Sequence, residues 1–411
     1  MTSIESLGYP LAFRMNNDVA QPAADRGGTG RITSVRVYAR ALEGMQKEAV
    51  ICISAGSTVH TWRMVSDEGP YLNGTDLAPF PLAFYTAGMQ FSILSEFIRH
   101  AKTQHVSIKS LRLHQDNYYT MEGSALQGTM IGGAKPAEVH VDIETSASVE
   151  TIANITQMAE RTSAAHAMMR DVLTNTFAIT HNHNPLPVID VAPSPKPIDD
   201  DLPAIFASAT PDDNVDYLDD IITKVSAAKK QFGVEGGAGS SLQAEQKRTL
   251  HVHGEAHLLD DVLMQTTIQL YKPIGSTFRF ICDETRENGG HESAPSPLAY
   301  LSAGIGFCYM TQLGRYAFIT KQNLANYQIA QDTIFSLSLT DDSASTVAHA
   351  LPVDTHVYLE SEESDAIAQK TVQMSERTCF LHAAMRGQYP SKIQISVNGA
   401  AVDLSEIAGV G

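Results

Sequence analysis

Cys308 and Cys379 are the residues of this chain with the clearest capacity for chemistry, because each stands where a second copy of the same sequence has serine. Residues 294–308 (APSPLAYLSAGIGFC) read against residues 78–92 (APFPLAFYTAGMQFS), which sets Cys308 opposite Ser92. Residues 373–386 (QMSERTCFLHAAMR) read against residues 157–170 (QMAERTSAAHAMMR), which sets Cys379 opposite Ser163. A thiol can ionise, be oxidised and form a disulfide, whereas a serine hydroxyl does none of these under ordinary conditions. The chain has four cysteines in 411 residues. That is too few for a disulfide scaffold, and in a reducing compartment a pair that does form points to catalysis rather than to structure.

Other side chains compete for a role. If residues 365–386 form one helix, Glu376 and His382 lie three residues either side of Cys379 and Arg386 seven beyond it, all on its face. A histidine there could assist a thiolate or a leaving group. The same set, Glu160, His166 and Arg170, recurs around Ser163, which favours a role in the fold or an interface. Arg63 and Arg279 occupy one repeat position, as a structural salt bridge or a catalytic cation. His251, His253 and His257 (HVHGEAH) put at least two imidazoles on one strand face, but the sequence offers no matching ligand cluster, and the first copy has Val35, Val37 and Ala41 there. No metal and no cofactor are therefore expected. Cys52 and Cys282 fall on apolar strands and read as inert buried thiols. The Gly-rich run at 233–241 lacks the context of a phosphate loop and reads as a joint.

These residues need a frame to hold them, and the repeat supplies it. Trp62 and Phe278, Asp67 and Asp283, Glu68 and Glu284, Gly74 and Gly290, His140 and His356, and His166 and His382 all differ by 216. The chain is thus a tandem duplication of one fold of roughly 150 residues. Residues 1–30 form a lead-in, 31–183 the first domain, 184–246 a linker and 247–411 the second domain. Within each copy the order is strands, a helix, strands, a second helix and a closing strand. Ser296 and Pro297 place an N-cap and an N1 proline ahead of an apolar helix over 298–317, matched by one over 82–101. In the linker, Val215, Leu218, Ile222 and Val225 have helical spacing over 213–231, with acids first and lysines last. The pattern is α+β rather than alternating βαβ units.

Bulk properties narrow the function. At 43% apolar and 18% charged residues the chain can build two ordinary cores. A net charge of −17 argues against nucleic acid or an anionic membrane as partner. There is no basic leader with a long apolar run and no stretch of about 18 apolar residues, so a soluble cytoplasmic protein is expected.

The run DETRENGGHESAPSPLAYLSAGIGFC (residues 283–308), with SERTCFLHAAM (residues 375–385) 71 residues on from cysteine to cysteine, resembles the OsmC/Ohr family. The resemblance covers most of both halves. It implies two OsmC-like domains, each with a curved antiparallel sheet and two main helices, folded as an intramolecular pseudo-dimer that further homo-oligomerisation could extend. It also implies thiol-dependent reduction of an organic hydroperoxide, with Cys308 attacking, Cys379 resolving and a dithiol reductant restoring both. Peroxidase members carry Pro-Glu at the start of the buried helix, whereas here Pro297 is followed by Leu298 and Pro81 by Leu82. Glu284 and His382 join the candidate site. The activating arginine is expected from Arg248 or Arg279, or from Arg36, Arg40 or Arg63 of the other half. A guanidinium should then lie within ion-pair reach of Cys308. The alternatives are a thiolate enzyme acting on another small electrophile or sulfur compound, and a catalytically weak small-molecule binder.

Overall fold

The computed structural model describes residues 2–23, 30–198, 200–228, 246–338 and 346–403. The two halves do not fold as separate beads. Each contributes strands to both of two large sheets. One sheet runs in the order Ala12–Met15, Thr58–Ser66, Lys47–Ala55, Arg31–Ala41, Leu324–Ser338, Asp354–Ser361, Thr176–His181, Ala192–Pro193. The other runs Ile222–Ser226, Thr277–Cys282, Met264–Lys272, Gln246–Leu258, Ile108–Gly123, Glu138–Thr145, Lys392–Val397, Ala400–Val402. The central pairing of each sheet, Arg31–Ala41 with Leu324–Ser338 and Gln246–Leu258 with Ile108–Gly123, crosses between repeats. Both sheets are mixed rather than purely antiparallel, because Asp354–Ser361 lies parallel to Thr176–His181 and Lys392–Val397 parallel to Glu138–Thr145.

Strand register refines the repeat. Arg36 faces Asp332 and His253 faces Asp116, so the offset is 216 on one strand (332 − 116) and 217 on the other (253 − 36). The second copy is one residue shorter in its early hairpin. His253 therefore corresponds to Arg36, not Val37, and Arg248 corresponds to Arg31.

Two helices, Pro81–Thr103 and Pro297–Ile319, lie between the sheets and pack on each other. Each starts at a proline whose missing N–H would have no helical partner, and each is buried around nearly its whole circumference, as small and apolar side chains permit. Their backbones approach at two glycines. A Cβ on Gly88 would lie 2.6 Å from the Leu301 nitrogen, and one on Gly304 2.6 Å from the Tyr85 nitrogen. Those two contacts exchange under the repeat offset, placing a pseudo-two-fold axis between the helices.

Two expected helices differ. Residues 365–386 form Asp365–Thr378 and Phe380–Arg386, broken at Cys379, whose ψ of 122° is extended; Ser163 makes the same break between Val149–Thr162 and Ala164–Arg170. In the linker, Ile222–Ser226 is an edge strand on Thr277–Cys282 rather than part of a helix. An open sheet edge offers unpaired backbone groups that outweigh weak helical periodicity. The linker's helix is instead Leu202–Ala207, capped by Asp201. It packs with Ile198 and Phe206 on Tyr38, Cys52 and Ala330, covering the outer face of the first sheet. The joint at 233–241 lies outside the described residues.

Candidate active site

Cys308 sits at the middle of the second central helix, and Cys379 in the break between the two following helices. The break turns the Cys379 side chain toward the central helix, and the two Sγ atoms lie 3.5 Å apart as free thiols. Both are buried. Burial pushes the Cys379 thiol well above its ordinary pKa, with the Cys308 sulfur adding to the rise and backbone N–H groups of His382 and Leu381 opposing it.

The charges around the pair come from both repeats. Thr311, one turn beyond Cys308, donates to Glu68 Oε1 at 2.9 Å, and the Tyr71 hydroxyl donates to Glu68 Oε2 at 2.8 Å. Arg315, two turns beyond Cys308 on the same face, is buried; desolvation lowers its pKa, while Glu68, Tyr71 and the Cys308 sulfur oppose the shift. Lys47 is likewise buried and lowered, against Glu68, Asp67 and Cys308. Arg248 joins the group on the inner face of its strand, lowered by burial and by Arg315. Tyr119 completes the site. Its pKa is raised by burial first, then by Tyr85 and the sulfurs of Cys308 and Cys379, and its hydroxyl has no hydrogen-bond partner among the described residues.

The sister site has the same plan without thiols. Ser92 Oγ and Ser163 Oγ are 2.8 Å apart, and Ser163 Oγ lies 2.8 Å from His166 Nδ1. Ser95 donates to Glu284 as Thr311 does to Glu68. Arg31, the counterpart of Arg248, binds Asn288. Phe335 stands where Tyr119 does and Met264 where Lys47 does. Ser92, Arg31, Glu284, Leu298 and Phe335 line an open pocket.

Glu284 therefore belongs to the serine site, because crossed strands carry each acidic loop to the opposite repeat's helix; Glu68 is the carboxylate beside the thiols. Its partner Asp67, like Asp283, holds its own loop by accepting backbone N–H groups, from Thr75 and Leu77 in one copy and His291 and Ser293 in the other. Arg279 alternates with the buried Phe278 and Phe280 and so lies on the outer sheet face, away from Cys308. Arg63 is tied to Glu48 at 2.9 Å, Arg40 to Glu48 at 2.7 Å, and Arg36 to Asp332 at 2.7 Å. All three bridges are structural. Of the expected arginines only Arg248 joins the cluster, and Arg315, which was not among them, joins it from the helix that carries Cys308.

The helix breaks at Cys379, so Glu376 and His382 lie on different helices and do not form one continuous face around it. The His382 ring packs on Phe177 and Tyr309, neither nitrogen has a partner among the described residues, and burial pushes its pKa down to about 3. It is neutral. Glu376 and Arg386 pair across the break, as Glu160 and Arg170 do at 3.1 Å, so this set closes the kink. Burial raises Cys52 to about 11 and Cys282 well above its ordinary value. Seven-residue spacing from Cys308 would have found Arg315. Nothing local marks Lys47, Glu68 or Tyr119, which lie in the other repeat.

The two buried thiols thus lie inside an α+β pseudo-dimer, in one cluster with Lys47, Arg248, Arg315 and Glu68. Residues 290–394 match the family model described as OsmC-like protein, a span that includes both cysteines, so the chain carries an OsmC-like domain in its second half. It is similar to the crystal structure of an OsmC-like hydroperoxide resistance protein from Jannaschia sp. CCS1, with 19% identity over 34% of this chain and 89% of that one and a TM-score of 0.25. No curated protein matches the chain. No helix among the described residues is long and apolar enough to cross a membrane.

Proposed function

We propose that the protein is a thiol-dependent hydroperoxide reductase acting at Cys308 and Cys379. The observation that carries this reading is the 3.5 Å separation of the two free sulfurs. A disulfide needs about 2.05 Å, so small side-chain rotations close the gap.

The Cys308 thiolate attacks the distal oxygen of ROOH, the O–O bond breaks, and ROH leaves after taking one proton; Cys308 becomes a sulfenic acid. The Cys379 thiol then displaces water from it and forms the disulfide. A dithiol reductant reopens the bond by exchange, becoming a disulfide itself. Lys47, Arg248 and Arg315 supply the electropositive surroundings that thiolate chemistry needs, and Glu68 supplies the carboxylate absent after both helix prolines. The Tyr119 hydroxyl, which has no hydrogen-bond partner among the described residues, is the candidate donor to the departing oxygen. An apolar cavity of 430 Å³ reaches Arg315 and Leu72, with Phe318, Ile319 and Tyr327 on its walls. This suits an organic rather than an inorganic peroxide.

Cumene hydroperoxide should consume two thiols per chain and give one cross-linked peptide joining Cys308 to Cys379, with no fast reaction in Cys308→Ser. Alkylation of Cys308 by iodoacetamide without any peroxide sensitivity would reject the reading in favour of a thiolate enzyme for other electrophiles.

A further inference from the structure

We propose that His114, His253 and Glu255 form a binding site for a divalent transition-metal ion of the zinc class on the outer face of the second sheet. His114 comes from the first repeat, and His253 and Glu255 from the second. One ligand atom from each lies within 4.8 Å of the others. Glu255 Oε1 is 3.6 Å from His114 Nδ1 and 3.5 Å from His253 Nε2. Metal–ligand bonds of about 2.0–2.1 Å at the tetrahedral angle put ligand atoms roughly 3.3–3.4 Å apart, so the set closes on an ion with small rotations.

The surrounding groups point the same way. His253 directs its other nitrogen, Nδ1, to Asp116 Oδ1 at 2.9 Å, and His114 directs Nε2 to Asp142 Oδ2 at 3.5 Å. A carboxylate behind each imidazole fixes the tautomer that leaves the ligating nitrogen with its lone pair free, as in known zinc sites. Asp116 is itself held by His251 at 2.5 Å, and Asp142 by His140 at 3.0 Å. Glu255, Asp116 and Asp142 together give the dication a negative setting. Two imidazoles and a carboxylate suit zinc and its neighbours, not calcium or magnesium.

The other sheet shows what this face does without such a site. Ala330, Arg36 and Tyr38 hold the positions of His114, His253 and Glu255. There Arg36 is locked by Asp332 and Asp200, Tyr38 donates to Asp200, and the linker's Ile198 and Phe206 seal the surface. The histidine face has no such cover among the described residues, and the Glu255 side chain is 57% exposed. Water can fill the remaining coordination positions.

The test titrates Co²⁺ alone into metal-free full-length protein, followed by visible d–d absorption and by thermal melting. The expected result is one ion per chain with a tetrahedral or five-coordinate spectrum, displaced by Zn²⁺, and a melting temperature raised by the ion. His114→Ala and Glu255→Gln should abolish the spectrum while leaving the metal-free melting temperature unchanged, and Asp142→Asn should weaken binding about 10- to 100-fold. A Cys308→Ser/Cys379→Ser variant should bind as the parent does. No saturable binding, or binding lost in the cysteine variant and kept in His114→Ala, overturns the proposal.

Discussion

Acid should unfold this protein through two buried histidines. His166 and His382 occupy the same position in the two repeats, each three residues after a helix break, and burial assisted by Arg170 or Arg386 pushes both down to about 3. In the unfolded chain each titrates near 6.5. Between these values the unfolded state takes up a proton that the folded state refuses, so stability is complete above about pH 6.5 and is lost as pH falls toward 3. At pH 5 each histidine is 1.5 units below its unfolded value, and at about 1.36 kcal/mol per unit that is about 2 kcal/mol apiece, or about 4 kcal/mol together. Because both folded values lie well under pH 5, this figure does not depend on where under 4 they fall. Urea unfolding at pH 7.5 and pH 5.0 under reducing conditions measures the loss in the parent and in His166→Leu/His382→Leu. Contributions from carboxylates cancel in the comparison. The variant should lose about 4 kcal/mol less than the parent over the same pH step. An equal loss in both proteins would refute the reasoning.

Two further outcomes follow from the fold and the site. Gly88→Ala or Gly304→Ala forces a Cβ into the backbone of the facing helix and should destabilise by at least about 1–3 kcal/mol; Gly306→Ala, whose Cβ would have side-chain atoms as its nearest neighbours, Val37 Cγ1 first at 3.2 Å, should be milder by differential scanning calorimetry. Glu68→Gln should slow thiol consumption by cumene hydroperoxide at least tenfold, consistent with losing a charged hydrogen bond of about 1.5–3 kcal/mol. Glu284→Gln should leave that rate unchanged, and a reversed pattern would mean that the acidic loops do not cross.

The sequence made the α+β class and the proximity of Cys308 to Cys379 legible because their marks are local: an N-cap with its proline, and two cysteines that each face a serine in a repeated string. It did not reveal partners on opposite repeats. Glu284 lies close in sequence to the helix bearing Cys308, and only the crossed central strands show that Glu68 is the residue facing Thr311. A single-residue difference in one hairpin also shifted the alignment of the early strands. It paired His253 with Val37, where register pairs it with Arg36, and hid the correspondence of Arg248 with Arg31. The continuous helix drawn through Cys379 failed for a subtler reason. The apolar spacing of Met374 and Met385 is kept on both sides of the break, but Glu376 and Arg386 are tied across it, and their spacing alone cannot show a kink.

Crossing also explains how one site could change while the other was kept. In a dimer of identical subunits, a substitution that loses a thiol is made at both sites at once. Here the Cys308 site draws Cys308, Cys379, Arg248 and Arg315 from one repeat, and Lys47, Glu68, Tyr71 and Tyr119 from the other. The serine site uses the reciprocal positions. Each position is encoded once, so Met264 and Phe335 can replace a cation and a hydroxyl at the serine site without touching Lys47 or Tyr119. Covalent linkage keeps the halves together at any concentration, so this asymmetry survives dilution. The thiol site is complete only when both repeats are folded around the same pair of helices, and a substitution that parts those helices, as at Gly88, should therefore disable chemistry encoded more than 200 residues away.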